Sequence, residues 1–195
     1  MGTVLLALHY QNEVLHENGK IRVGIEANSP DRQRVIDAAQ LLLSQARQMN
    51  VPIVHVRVAY RPDYADLTCN APILEAVKQM GAVQDGSWGA QFYAGLEPLE
   101  HSPLEFVVSH KRINAFYGSD LDVILQKLQA QRLVIGGVAT HSVVESTVRH
   151  AVDMGFKVVV AADACGAPPQ AHANSLQSMR LIADVVPHLS AADWR

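Results

Sequence analysis

Short, nearly continuous apolar runs alternate along the chain with segments whose apolar positions recur at helical spacing. The runs are residues 3–9 (TVLLALH), 51–59 (VPIVHVRVA), 104–109 (LEFVVS), 132–137 (RLVIGG) and 157–162 (KVVVAA). Each has strand length, and continuous rather than alternating apolarity fits strands covered on both faces, as in a parallel sheet. After the first run, Ser29-Pro30 opens a helix, with Ser as cap and Pro at the first helical position. Val35, Ala38, Ala39, Leu42, Ala46 and Met49 follow on one face of it. Asn50 ends that helix, and Pro52 cannot continue it.

Residues 60–103 are irregular, broken by glycines and prolines, with one short helix near 73–80. A segment of that length is longer than a simple connection requires and reads as a functional excursion. Ser119 or Asp120 caps a further helix carrying Leu121, Ile124, Leu125 and Leu128. Another runs from about 141 to 154 and closes at Gly155, a C′ glycine. The last pattern, 168–186, reads as one helix stopped by Pro187.

Strand–helix alternation along the whole length predicts an α/β fold with three layers, αβα, and a mostly parallel sheet of five or six strands in Rossmann-like order. No linker or repeat interrupts it, so residues 1–195 are expected to form one domain. In such sheets ligands bind beyond the carboxyl ends of the strands. The residues that follow each run are therefore the ones that bear on function.

Composition removes several function classes. The chain has 195 residues, of which 49% are hydrophobic and 18% charged, too apolar for disorder. Its 16 Lys and Arg against 19 Asp and Glu give a net charge of −3, with no basic run to hold nucleic acid. No apolar run nears the roughly 20 residues of a membrane span, and the amino-terminal residues lack a signal peptide's basic region. Two cysteines, Cys69 and Cys165, make no disulfide framework, so a reducing cytoplasm is the expected location. A small-molecule ligand is the expected partner.

The strand ends resemble those of the isochorismatase-like, or cysteine hydrolase, superfamily. Gln11-Asn12-Glu13 after the first strand resembles the family's opening, in which a strand delivers an Asp followed by a Gln-Asn step. Residues 109–121, SHKRINAFYGSDL, resemble the segment that carries a Lys ahead of Ser-Ala-Phe and Gly-Thr-x-Leu. Gly137-Val138-Ala139-Thr140, with Thr147 beyond, resembles the signature Gly-Val-x-Thr-x-x-Cys-Val-x-x-Thr. Residues 155–165 match the family's tail as well. The resemblance covers nearly the whole chain.

It implies an isochorismatase-like fold, a Cys nucleophile, an Asp base and an orienting Lys acting on an amide or similar carbonyl. It also implies a cis peptide, here Val138–Ala139, in a turn whose N–H groups hold an oxyanion. A thiol in a helix's first turn is activated by the helix dipole, and a nearby carboxylate takes its proton. This chain departs at the decisive places. The Asp position holds His9 and the Cys position Val143, while Lys111 fills the Lys position. An isopropyl group is no nucleophile. Ser142 stands one residue away, but α-helical rotation of ~100° per residue turns it elsewhere. Cys165 reads as a buried small hydrophobe.

Nicotinamidase-type members add Asp-x-His after the second strand to bind a metal, and residues 57–60 here contain neither Asp nor His. His141 and Glu145, four apart on one helix, lack a third ligand, so neither metal nor cofactor is expected. Tyr10, Arg57, Trp88, Phe116, Thr140 and His141 are the candidate ligand-binding residues, with Arg57 and Lys111 paired against an anionic group. Two functions follow. One is a hydrolase-like protein taking a small anionic or amide-bearing metabolite, with His9 as acid–base and Lys111 as anchor. The other is a non-catalytic family member that binds a ligand or assembles. The resemblance also implies a homo-oligomer, a dimer or larger.

Overall fold

The computed structural model describes residues 2–22 and 25–194. Its six strands are β1 (Gly2–Leu8), β2 (Ile53–Val58), β3 (Glu105–His110), β4 (Ala130–Val138), β5 (Lys157–Gly166) and β6 (Asp184–Val186). They form one sheet in the order β3-β2-β1-β4-β5-β6, and every neighbouring pair is parallel. The chain enters at the centre, builds outward to β3, then crosses back to lay β4 on the other side of β1. That reversal leaves a crevice at the carboxyl ends of β1 and β4, where open α/β sheets bind ligands.

Alternate side chains of β1 serve opposite faces. Leu5 and Ala7 join a core with α1 (Asn12–Leu15), α2 (Asp31–Gln48) and α3 (Pro72–Met80). Val4, Leu6 and Leu8 join a second core with α4 (Leu121–Lys127), α5 (Glu145–Asp153) and α6 (Pro169–Met179). Both faces are thus covered, which is why the strands read as unbroken apolar runs. Gly136 lets α2 close on the sheet, since a Cβ there would stand 2.8 Å from both Leu42 Cδ2 and the Tyr10 hydroxyl. Ser29 Oγ accepts the Asp31 N–H at 3.2 Å and caps α2.

The carboxyl-terminal stretch corrects the expectation of one helix over 168–186. α6 ends at Met179, the N–H groups of Ile182 and Ala183 both donate to the Met179 carbonyl at 2.9 Å, and β6 then pairs with β5. A three-residue edge strand is too short to show a period of its own, so Val185 and Val186 passed as a continuation of the helical stripe. Among the described residues, no helix is long and apolar enough to cross a membrane.

A buried ion cluster ties the edge of the sheet to α2. Glu105, with its side chain 2% exposed, accepts from Arg47 at 2.9 and 3.0 Å, from His55 Nε2 at 2.8 Å and from the Leu99 N–H at 3.0 Å. Burial works to raise this carboxyl, but the bonds from Arg47, Leu99 and His55 outweigh it and hold it down to about 2. A depressed carboxylate stabilises the fold above its unfolded pKa, near 4.5, and that contribution is lost as pH falls towards 2. Glu105→Gln should lower unfolding free energy by about 3 kcal/mol at neutral pH, because Arg47 loses its buried counter-charge. Urea titrations of both proteins should show the difference shrinking as pH drops below about 4.

Candidate active site

β1 ends in a sharp corner. His9 adopts a left-handed backbone, φ 57°, while its N–H still donates to the Val56 carbonyl at 2.9 Å. Positive φ is uncommon outside glycine, though His tolerates it better than most residues. The corner presents the His9 ring to His110 at the end of β3, with centroids 4.8 Å apart and planes tilted by 30°. The two Nε2 atoms are hydrogen-bonded to each other.

Proton positions follow from the far end of this chain. His110 Nδ1 lies 3.1 Å from the Asn114 carbonyl, which only accepts, so Nδ1 carries the hydrogen. Neutral His110 then offers a lone pair at Nε2, and His9 donates to it from its own Nε2–H. His9 Nδ1 is left as a bare lone pair. Burial, and then the neighbouring His110, hold His9 well below the ordinary imidazole range. Burial pushes His110 down to about 4, against the Asn114 carbonyl, which favours the charged ring. Both rings are therefore neutral near pH 7.

His9 opens on a narrow cavity of about 60 Å³, lined also by Val58, Tyr60, Val138, Ala139, Arg112 and Ser142. Val14 and Ile21 with the apolar face of α3 close the rest. The wall is latched by the residues after His9. Gln11 accepts the Val58 N–H at 2.8 Å and donates to the Val58 and Ala90 carbonyls, both at 2.9 Å. Glu13 is buried and accepts the Lys20 and Val83 N–H groups at 2.9 and 3.1 Å. Gly89 packs so closely on Glu13 that a Cβ there would lie 2.0 Å from its carboxylate. The irregular stretch 60–103 is in this way fastened to the end of β1.

The turn after β4 forms the other wall. The Val138–Ala139 peptide is cis. Thr140–Val144 is a wide turn in which the Ala139 carbonyl accepts the N–H of Val144, five residues on, at 3.3 Å, and that of Ser142 at 3.1 Å. This overturns the expectation that Ser142 points elsewhere. The segment is not an α-turn there, so the α-helical rotation on which that expectation depends does not apply. Ser142 lines the cavity, while Val143, 2% exposed, packs into the core between the sheet and α4 to α6.

Few of the other candidate residues reach this cavity. Lys111, one residue beyond β3, is not among the residues that line the cavity. Its ammonium binds Asp66 at 2.5 Å and the Ala59 carbonyl at 3.3 Å, and its own carbonyl accepts from the Tyr60 hydroxyl at 3.1 Å. Arg57 is held by Ser109 at 2.8 Å and Asp85 at 3.0 Å. The expected Arg57–Lys111 clamp is thus not formed: each cation is bound to its own aspartate. Arg112 is the cation that lines the cavity, fixed by the Thr68 carbonyl at 3.2 Å and Asn70 at 2.8 Å.

Tyr10 is a core residue whose hydroxyl donates to the Ala164 carbonyl at 2.6 Å, and burial raises its pKa well above the usual value. Phe116 is buried and stacks on His150 at 4.9 Å. Trp88 is half-exposed and meets His16 edge-on. Thr140 is buried against His172 at 2.8 Å, and His141 faces solvent. Cys165 is buried, its thiol pushed up to about 12 by burial. Among the described residues, His, Cys, Asp and Glu nowhere gather in threes fit to hold a metal ion. His110 and Arg112 stand at the strand end that the sequence marks as bearing on function, though nothing in the sequence assigns either a role. The signal for His110 was the alternation of β3, which buries Val108 and His110 and exposes Val107 and Ser109.

A family model of the isochorismatase domain matches residues 3–190. The chain belongs to the isochorismatase family. Similar proteins include the uncharacterized isochorismatase family protein YecD of Escherichia coli O157:H7, 32% identical over 143 residues, 73% of this chain and 72% of that one. The ureidoacrylate amidohydrolase RutB of Methylorubrum extorquens is 26% identical over 194 residues, covering 91% of this chain and 75% of its own. A probable inactive nicotinamidase of Arabidopsis thaliana is 27% identical over 190 residues, covering 96% and 92%. The isochorismatase family protein of Desulfovibrio vulgaris superposes with a TM-score of 0.81 at 25% identity, across 95% of this chain and 94% of that one.

Within this isochorismatase fold the histidine pair sets a spectroscopic expectation. At neutral pH, ring ¹⁵N spectra should show His9 as the Nε2–H tautomer and His110 as the Nδ1–H tautomer. The opposite assignment for either ring would contradict the hydrogen-bond chain.

Proposed function

We propose that this chain is a hydrolase of its family that acts on a small amide- or ester-bearing molecule without thiol chemistry, with His9 as general acid–base. The observation that carries the reading is the bare Nδ1 of His9, fixed at a left-handed corner with its other nitrogen committed to His110. A base held by a third group and aimed at a cavity is the arrangement that general-base catalysis needs. Backbone outliers of this kind cluster at functional sites. The amidohydrolase named among the relatives supports an amide-type bond as the target.

Lys111 enters this reading as a positioning residue. Its charge is balanced by Asp66, and its carbonyl holds the Tyr60 hydroxyl on the cavity wall. An anionic group on the substrate would meet Arg112 instead. The second reading, a ligand-binding or assembling member without turnover, is favoured by one observation. The cavity of about 60 Å³ falls far short of the roughly 300 Å³ at which small-molecule pockets begin.

A hydrolysis screen of small amides, ureas, esters and vinyl ethers decides between them. On the first reading, His9→Ala lowers kcat roughly 10²–10⁴-fold with the fold intact, and Lys111→Ala has a smaller effect. Turnover unchanged in His9→Ala refutes the general-base role. Ligand-induced thermal stabilisation with no turnover across the screen supports the second reading. A base works only when uncharged, so kcat/KM should stay level as pH falls through 6.5, the ordinary imidazole value. It should decline only nearer 4, where His110 protonates.

A further inference from the structure

We propose that Ser142 is the nucleophile of this site and forms a covalent acyl-enzyme, with His9 taking and returning the proton. The proposal rests on the general-base reading of His9 given above and adds the atom that attacks. Three observations carry it. Ser142 and His9 line one cavity, while Val143, in the place where the family resemblance sets a cysteine, is turned into the core. The hydroxyls of Thr140 and Thr147, on the same segment, are both bonded, to His172 at 2.8 Å and to the Ala115 N–H at 3.2 Å. The Ser142 hydroxyl has no hydrogen-bond partner among the described residues, and it is not among the sealed, unbonded side-chain atoms. His9 Nδ1 is in the same condition.

The His9 Nε2–H is bonded to His110 Nε2 and the His110 Nδ1–H to the Asn114 carbonyl, while Ser142 Oγ and His9 Nδ1 belong to the lining of one cavity with no bond between them at rest; on approach of the two they supply nucleophile, base and orienting groups in the order that activated hydroxyls use. A neutral imidazole and a carbonyl stand where a carboxylate often does.

The chemistry balances without any further reagent. As Oγ bonds to the substrate carbonyl carbon, its proton passes to His9 Nδ1 and the carbonyl electron pair moves onto oxygen. The pair returns, the bond to the leaving nitrogen or oxygen breaks, and the leaving group takes the proton from His9. Water then attacks the Ser142 ester, giving one proton to His9. His9 hands that proton to Oγ as the acid departs. The cation formed on His9 during each step is met by the His110 lone pair. A cavity of about 60 Å³ has room for a few water molecules. The substrate class is accordingly an ester or amide of a short acyl group, of acetyl size, with the leaving group directed outward.

Methanesulfonyl fluoride, a small reagent that sulfonylates activated serines, and p-nitrophenyl acetate as substrate test this on the full chain. The expected result is one sulfonyl adduct mapping by peptide mass spectrometry to Ser142. It should be absent in Ser142→Ala and formed at least about ten-fold more slowly in His9→Ala, with circular dichroism confirming native folds. Acetate release should be lost in both variants. An adduct elsewhere, or none on the folded protein, overturns the proposal. If His9→Ala loses acetate release and Ser142→Ala keeps it, Ser142 is not the nucleophile and the general-base reading stands alone. If His9→Ala keeps it, both readings fall together.

Discussion

A sheet covered on both faces accepts a polar side chain within a strand only where it is bonded, as His55 and Glu105 are to each other, and otherwise leaves it the strand ends. That constraint organises this molecule. β1, the central strand, gives alternate residues to two cores and releases its first half-buried polar side chain at His9, one residue after it stops. β3 ends on the buried His110, and β4 releases its chain into the Thr140–Val144 turn. His9 and the turn that carries Ser142 meet at the carboxyl ends of the strands, where the apolar cores stop. Hydrogen bonds among neutral groups are what such a half-desolvated site tolerates, since an unpaired charge there would be costly. The two imidazoles are accordingly held uncharged, Lys111 is matched by Asp66, and the cavity-lining Arg112 is held by the Thr68 carbonyl and Asn70.

Most of the fold is legible in the sequence because it depends on this same burial. Five strands and the main helices are visible as apolar runs and stripes whose length and spacing leave little choice. β6 is not, since an edge strand of three residues buries too little to impress a pattern. The site is legible to the nearest residue but not to the correct face. Lys111 draws attention as the cation at the end of β3, yet it binds Asp66 and Arg112 is the cation that lines the cavity. Ser142 is dismissed on α-helical rotation, and a wider turn reverses the outcome. Tyr10, Phe116 and Trp88 look like ligand contacts by type and place. Two of them are simply large enough to be needed for packing, and the third lies outside the cavity. In each case the residue class was informative and its direction was not, because direction is set by one local backbone torsion or turn type.

The chemistry follows the same division. Val143 stands apart from the cavity, because its side chain belongs to the core between the sheet and α4 to α6. The cavity is lined instead by the His9 ring and Ser142, the first with an unbonded nitrogen and the second with an unbonded hydroxyl.

Glu13 makes one buried carboxylate answer for a long excursion of chain. It joins the end of β1 to Val83, 70 residues further along, and Gly89 must close against it. Tying down a loop of that length costs closure entropy, which a few buried hydrogen bonds offset. A chain cut or perturbed near residue 83 would keep its sheet and lose the enclosure around His9.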